Sequence, residues 1–444
     1  MPYPVICPTF PAFPTPPDNG APVLVGFSGG LDSSVLLHWL ASSTAQRVCG
    51  LSALHVHHGL HPQADQWSQH CQATCDQLGI PLRVVHVQVQ YPAGDGLEAA
   101  ARHARHAAFA AELGPGQWLA VAHHRDDQAE TFLLRALRAS GPDGLAAMAA
   151  QRPFASGTLW RPLLEVPRST LLDYAQRHGL VWIDDPSNDR LEHDRNFLRH
   201  RILPLLRERW PHTSAALARS AALSGQAATL LADGDTAMLK ALSDGQGGLD
   251  LDGLRALPAP RRARLLRRWV AGADAPPLPA RGVAALDAEL GHLASDREMR
   301  FAWRDVEIRR WRQRLYLLRP VATWPPGWQA EWDGREPLAL PDGRRLVLQG
   351  SVGFLRPLQV RARRGGERIV LPGRPHSHAL KHLLQAALVP PWQRAAMPLL
   401  FDGSTLLAAA DRIISAPLQR WLDANTAYLE WRNIPDPEAR AGAN

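Results

Sequence analysis

Lysine is almost missing from this sequence. Lys and Arg together number 49, yet only Lys240 and Lys381 are lysines. A G-x-x-x-x-G-K-[ST] phosphate loop therefore cannot exist in the first half of the chain, which excludes an ordinary kinase or GTPase loop. Cysteine is scarce too: Cys7, Cys49, Cys71 and Cys75 are the four in 444 residues. They are too few and too unevenly placed for a disulfide framework, and a reducing cytoplasm fits them best. No C-x-x-C pair occurs that could carry sulfur or a cluster. No stretch of about twenty apolar residues is free of charge, which argues against a membrane span. Residues 1–20 are rich in proline and lack a basic stretch followed by an apolar core. We read them as a disordered lead-in and not as a signal peptide.

What is present bounds the answer differently. A chain of 444 residues with 45% hydrophobic content is long enough for two or three cores. The formal charge of +7 and the pI near 9.7 favour a polyanionic partner such as nucleic acid, against the plainer reading of a solvated basic surface. Composition leaves the two open. The dominance of arginine suits two-pronged phosphate recognition, and genome composition explains it equally well.

From Pro22 to about Arg209, short apolar runs alternate with longer helical stretches. Strands are predicted at Val23–Phe27, Leu51–Val56, Leu82–Val89 and Trp118–Ala122. Helices are predicted at Ser33–Leu40, Ala64–Leu78, Glu98–Leu113 and Asp127–Leu137. Such alternation implies a parallel sheet covered on both faces, with ligands at the carboxyl ends of its strands. Past Pro211 it stops. Ala215–Leu242 and Pro260–Ala271 read as helices, the second with Arg261, Arg262, Arg264, Arg267 and Arg268. Strand-like material follows Arg300, then a Pro/Trp-rich linker over Val321–Trp328. The last segment mixes short strands with one helix near Ser377–Ala387.

Ser28-Gly29-Gly30-Leu31-Asp32-Ser33-Ser34 joins the first strand to the first helix. Two glycines let backbone amides approach an anion, and the helix start adds orphan N–H groups and the positive end of its dipole. Ser28, Ser33 and Ser34 can donate hydroxyls. Asp32 would repel phosphate unless a cation sits between them, so magnesium bridging Asp32 and the phosphates is expected. The competing reading is a plain capped turn. Asp127, Glu130 and Thr131 share one helix face, where a carboxylate can orient and finally deprotonate an ammonium or simply complement the helix dipole. Asp126 is an alternative N-cap. His55, His57 and His58 lack partners at zinc spacing, and Cys71 and Cys75 read as packed core on one helix face.

The S-G-G-L-D-S stretch resembles the signature of the PP-loop ATP pyrophosphatases. Within them the chain is similar to the tRNA(Ile)-lysidine synthase family, through residues 55–60 (H-V-H-H-G-L), 98–105 (E-A-A-A-R-H-A-R) and 123–131 (H-H-R-D-D-Q-A-E-T). Further matching stretches are 161–164, 184–188, 195–199, Gly373-Arg374, 390–392 and 398–401. The resemblance implies a Rossmann-like parallel-sheet PP-loop catalytic domain over residues 21–212. A mostly helical middle domain over 213–325 and a small α+β, tRNA-binding domain over 330–444 would follow. It implies ATP on Ser28, Gly29, Gly30, Leu31, Asp32, Ser33, Ser34 and His55, with magnesium on Asp32 through the phosphates. Asp32, Asp127, Glu130 and Arg102 would be catalytic, and Arg105, Arg138, Arg195, Arg199, Arg374 and Lys381 would bind tRNA. The implied substrates are tRNA(Ile) with a CAU anticodon and free L-lysine, in the cytoplasm, with a homodimer left open. Two positions depart from the family: His106 stands where an aromatic residue is common, and Ala139 where many relatives carry glycine.

Overall fold

Val23–Gly26 (β1), four apolar and glycine residues, forms the centre of a six-stranded sheet ordered β3-β2-β1-β4-β6-β5. The computed structural model describes residues 20–89, 97–244, 247–273, 275–291, 299–319, 324–325, 327–350 and 353–433. The lead-in expected over residues 1–20 lies outside them, Gly20 excepted. The other strands are Leu51–His57 (β2), Leu82–His86 (β3), Trp118–Ala120 (β4), Gln151–Phe154 (β5) and Gly157–Trp160 (β6). All neighbours pair in parallel except β5, which turns back antiparallel on β6. The β5–β6 hairpin was not legible in the sequence, because Gln151-Arg152-Pro153 is exposed and carries no apolar alternation.

Helices cover both faces, as the alternation predicts. They are Leu31–Ala41 (α1), Thr44–Cys49 (α2), Ala64–Leu78 (α3), Leu97–Glu112 (α4), Arg125–Leu137 (α5), Pro142–Leu145 (α6) and Arg168–Arg177 (α7). One core joins Val23, Val25 and Phe27 to Val35, Leu36 and Leu40 of α1, Cys71 and Cys75 of α3, and Leu171 and Tyr174 of α7. The opposite face packs Leu24, Leu54 and Leu119 on Phe109 of α4 and on Leu113 just beyond its end. Both cysteines are fully buried, as expected, and burial pushes each thiol up to about 12. After α7, a strap runs through a 3₁₀ turn at Pro186–Asp189 to Asp194–Phe197 (α8). A π-helical turn at Leu198–Ile202 then leads to Leu203–Arg209 (α9) and the long Thr213–Leu242 (α10).

The chain forms two units, Met1–Gly234 and Asp235–Asn444. In the second, helices Leu251–Arg255, Ala259–Gly272 and Ala280–Gly291 accompany a four-stranded antiparallel sheet built from Gly248–Asp250, Arg300–Trp303, Val306–Trp311 and Arg314–Leu318. Arg261, Arg264 and Arg268 of the basic helix converge on the fully buried Asp235. They are an internal charge lattice and not an open basic face. Beyond it lie a five-stranded sheet, a three-stranded sheet and a hairpin of Arg368–Val370 with Ser377–Ala379. The helix expected near Ser377–Ala387 starts at Leu380, and Pro391–Ala395 and Ala416–Ala424 are two further helices.

Candidate active site

The sheet order reverses between β1 and β4, which pair at Val23–Trp118 and Val25–Ala120. A crevice opens at the carboxyl ends of such a pair of strands. Two segments meet there: Ser28–Ser34 after β1, and His123-His124 leading into α5. The sequence alone suggested that both sit at one sheet edge; the topology makes them neighbours.

The Ser28 loop is held by its own hydroxyls. Ser33 Oγ donates to the Gly30 carbonyl at 3.0 Å, lies 3.0 Å from Ser28 Oγ and accepts from the Ser28 amide at 3.3 Å. Ser34 Oγ donates to the Gly29 carbonyl at 3.4 Å. Gly30 is the N-cap of α1 and offers no side chain to the helix amides, which suits an anion there. Gly29 has φ +81, and a Cβ on it would lie 2.8 Å from Ile183 Cδ1 and 3.0 Å from Cys71 Sγ. The Ile183 amide also donates to the Gly29 carbonyl at 2.9 Å. Thus the strap after α7 latches onto the loop. Gly29→Ala is expected to cost about 1–3 kcal/mol in stability and most ATP-dependent activity, read by thermal melting and AMP formation.

Asp32, in the first turn of α1, is about one-third exposed. Its Oδ2 lies 3.6 Å from His124 Nε2 and its Oδ1 3.9 Å from Arg168 Nε. Oδ1 is itself buried and makes no hydrogen bond. Among the described residues no group of three or more His, Cys, Asp or Glu could cage a metal ion. An orphaned carboxylate oxygen beside an anion-ready helix end still fits a magnesium ion that takes its remaining ligands from phosphates and water.

His124, almost fully buried, is the N-cap of α5, and not Asp126, the alternative considered from sequence. Its Nδ1 accepts from the Asp127 amide at 3.3 Å, and its own amide donates to Asp127 Oδ2 at 2.9 Å. Using the Nδ1 lone pair for the cap leaves the ring proton on Nε2, facing Asp32. Burial would lower its pKa, but Asp127, Asp32 and Asp126 together raise it. Asp126 instead accepts from the Arg168 amide at 3.0 Å and from Ser214 Oγ at 2.8 Å, and pairs with Arg207.

Asp127 and Glu130 come together as their spacing predicts, with Glu130 fully buried. Arg195 donates Nε to Glu130 at 2.6 Å and Nη2 to Asp127 at 2.8 Å. Arg199 donates Nε to Glu130 at 2.6 Å and Nη2 to Asp127 at 3.0 Å. Against the penalty of burial, His124 and these arginines hold the Asp127 carboxyl far below the usual carboxylate range. Arg199 lies in the π-helical turn, a distortion common at functional sites. Both arginines, expected from the resemblance to bind tRNA, therefore contact the Asp127 and Glu130 carboxylates directly. Arg138 is exposed and makes a long, solvent-facing pair with Asp194 at 3.4 Å. Ala139 takes φ 53, the left-handed conformation that glycine adopts more readily.

His55 is buried, and its Nδ1 donates to the Phe27 carbonyl at 3.0 Å, supporting the base of the Ser28 loop. Arg102 and Arg105 lie on α4, and their charge acts on neighbouring imidazoles. Burial first, and the two arginines next, push His106 down to about 4; burial and Arg105 do the same to His58. His123, under burial and the field of Arg161, falls to about 3 despite Asp127. These three rings stay neutral in the fold, whereas in the unfolded chain they take up protons below about pH 6.5. Unfolding then binds protons, so their contribution is complete above pH 6.5 and is lost as pH falls toward 4 and 3. The melting temperature is expected to drop between pH 7 and 4, and His106→Gln to flatten that slope. Arg374 and Lys381 belong to the second unit; both are exposed, and Arg374 follows Gly373 at φ 72 in a turn. There Trp392 packs 5.5 Å from Tyr316, with Arg309 5.8 Å above its ring.

Comparison with known proteins decides the family. A PP-loop domain model matches residues 12–206, a TilS substrate binding domain model 249–316, and a TilS substrate C-terminal domain model 358–431. The tRNA(Ile)-lysidine synthase of Xanthomonas axonopodis pv. citri is 62% identical over 95% of this chain and 96% of its own length. The chain belongs to the tRNA(Ile)-lysidine synthase family. The Xylella fastidiosa member is 57% identical over 95% of this chain and 97% of its own length. The Yersinia pseudotuberculosis member is 42% identical over 92% and 93%. Three residues given no role from the sequence meet the Ser28 loop and Asp32 in this crevice: His124 between Asp32 and Asp127, Arg168 beside Asp32, and Ile183 on Gly29. His124 lay in the quoted H-H-R-D-D run, but an imidazole cap leaves no pattern of its own.

Proposed function

We propose that this enzyme ligates free L-lysine to carbon 2 of the cytidine at the first anticodon position of tRNA(Ile) bearing CAU. ATP is consumed to AMP and pyrophosphate, and the product tRNA reads AUA as isoleucine. The observation that carries the proposal is Asp32, its Oδ1 without a hydrogen bond, beside the uncapped start of α1 and across the crevice from His124 and Asp127.

In the first step the cytidine O2 attacks the α-phosphate of ATP, and pyrophosphate leaves onto the Ser28–Ser34 loop. Its backbone amides, with the α1 dipole, stabilise the leaving group, and the serine hydroxyls join them by turning from the loop carbonyls they otherwise bond. His55 holds the loop from below, and Arg102 supplies further positive charge from α4. Magnesium, held by Asp32 and the phosphates, would neutralise charge on the leaving oxygens. In the second step the lysine ammonium gives up a proton to solvent water, its amine attacks carbon 2, the carbon–O2 bond breaks, and AMP departs carrying the former O2. Asp127 and Glu130 orient the incoming ammonium. The depressed pKa of Asp127 suits it to holding that cation more than to accepting its proton.

Arg105, Arg138, Arg374 and Lys381 are proposed to meet tRNA phosphates. Arg195 and Arg199 serve the carboxylates first, and they reach RNA only by exchanging those partners. No helix among the described residues is long and apolar enough to cross a membrane, and the substrates proposed are cytoplasmic. The reaction is tested with ATP labelled at the α- or γ-phosphate and tRNA(Ile), without lysine. Label from the α-phosphate on RNA or in AMP, with γ-label in pyrophosphate, is expected. Release of γ-label as orthophosphate would refute adenylation.

A further inference from the structure

One cluster of charge lies outside the groups used above. On the edge strand β5, the Arg152 guanidinium sits 5.2 Å above the centre of the Phe154 ring. Phe154 meets His106 of α4 edge-on at 5.7 Å. Behind the hairpin, Arg161 is 6% exposed; it donates Nη1 to the Ala149 carbonyl at 2.7 Å and Nε to His123 Nδ1 at 3.3 Å. Arg135 is aimed in the same manner by the Gly144 and Ala147 carbonyls, at 2.7 and 2.6 Å. The segment that provides these carbonyls is pinned to α5 by a reciprocal pair of bonds between Gln128 and Met148, at 2.9 and 2.8 Å.

Buried charges are ordinarily paired with an opposite charge. Among the described residues, Arg135, Arg152 and Arg161 make their contacts with carbonyls, an imidazole and a ring, and none with a carboxylate. Burial first, then the charges of Arg152, Arg102 and Arg135, lower the Arg161 guanidinium to about 10. Backbone carbonyls orient these side chains without cancelling their charge. Arg161 is the buried member and Arg152 the exposed one, so the set presents positive charge to solvent along β5.

We propose that Arg152 on β5, with Arg161 behind it, binds the ribose-phosphate backbone of the substrate RNA beside the reacting cytidine. This rests on the tRNA reading above. ATP's own phosphates are a poor match: β5 stands three strands from β1 in the sheet, roughly 14 Å away at ordinary strand spacing. A polymer that reaches the crevice through His123 and Arg161 crosses that distance naturally. The exposed, proline-containing β5 edge is also kept from pairing with another strand, leaving its arginine accessible.

The test measures tRNA(Ile) affinity of the full-length protein by filter binding over a range of KCl concentrations. Arg152→Ala is expected to weaken binding ~tenfold and to reduce the log–log salt slope by roughly 0.7–0.9. ATP affinity and melting temperature should stay at wild-type values. Arg152→Lys should restore both affinity and slope, since a phosphate accepts either cation. Unchanged affinity and slope in Arg152→Ala would overturn the patch and leave the proposed reaction standing. An equal loss in ATP affinity would overturn it as well, by reassigning Arg152 to the nucleotide. Wild-type protein that shows the slope but transfers no lysine would overturn the reaction and leave the patch intact.

Discussion

Asp32→Ala is expected to reduce AMP formation about a thousandfold or more while tRNA(Ile) affinity stays close to wild type. The size follows from the role: removing one preorganised stabiliser of leaving-group charge costs about two to three orders of magnitude, and loss of a metal ligand adds to that. The selectivity follows from the surroundings. Asp32 is about one-third exposed, and its nearest basic groups, His124 Nε2 and Arg168 Nε, are 3.6 and 3.9 Å away, so little of the fold depends on it. Asp32→Asn should behave alike, because shape is kept and charge is lost. Raising magnesium should rescue neither variant fully. A comparable fall in tRNA affinity would show that Asp32 serves the RNA and not the phosphates.

The second large effect is on stability. Glu130→Ala should destabilise the catalytic unit by about 2–4 kcal/mol, because it strands Arg195 and Arg199 in a partly buried site. Both guanidiniums are between a quarter and a third exposed, which keeps the cost below that of a fully buried pair. A fall in melting temperature of roughly 5–15 °C is the expected reading for a unit of this size. Lysine transfer should fall with it, because α8 and the π-helical turn are tied to α5 by these bonds. Glu130→Gln keeps the shape and some hydrogen bonding, and is expected to lie between wild type and alanine in both measurements. A Glu130→Ala protein that melts like wild type would show that the four-residue lattice contributes nothing to stability.

What the sequence made legible was local. The Ser28 loop, Asp32 and the Asp127–Glu130 face follow from a strand, a pair of glycines and helical spacing, all within a few residues. The buried thiols of Cys71 and Cys75 follow from the same four-residue spacing. What lay hidden depends on distant contacts. Arg195 and Arg199 are recognisable as a basic pair, but their partners stand 65 to 72 residues earlier in the chain. The basic helix at Arg261–Arg268 reads as an open charged face until Asp235 is placed among its arginines. The β5 edge escaped notice because an exposed arginine and a proline look like loop. His124 escaped because its capping of α5 depends on ring orientation and not on residue type.

The central claim is transfer of lysine to tRNA, and one incubation tests it most directly. Purified protein, tRNA(Ile) with a CAU anticodon, ATP and radiolabelled L-lysine are combined, and label in the RNA is counted. The account predicts ATP-dependent label, confined after nuclease digestion to the first anticodon position and absent with Asp32→Ala. Tight tRNA binding with no label in the RNA would contradict it.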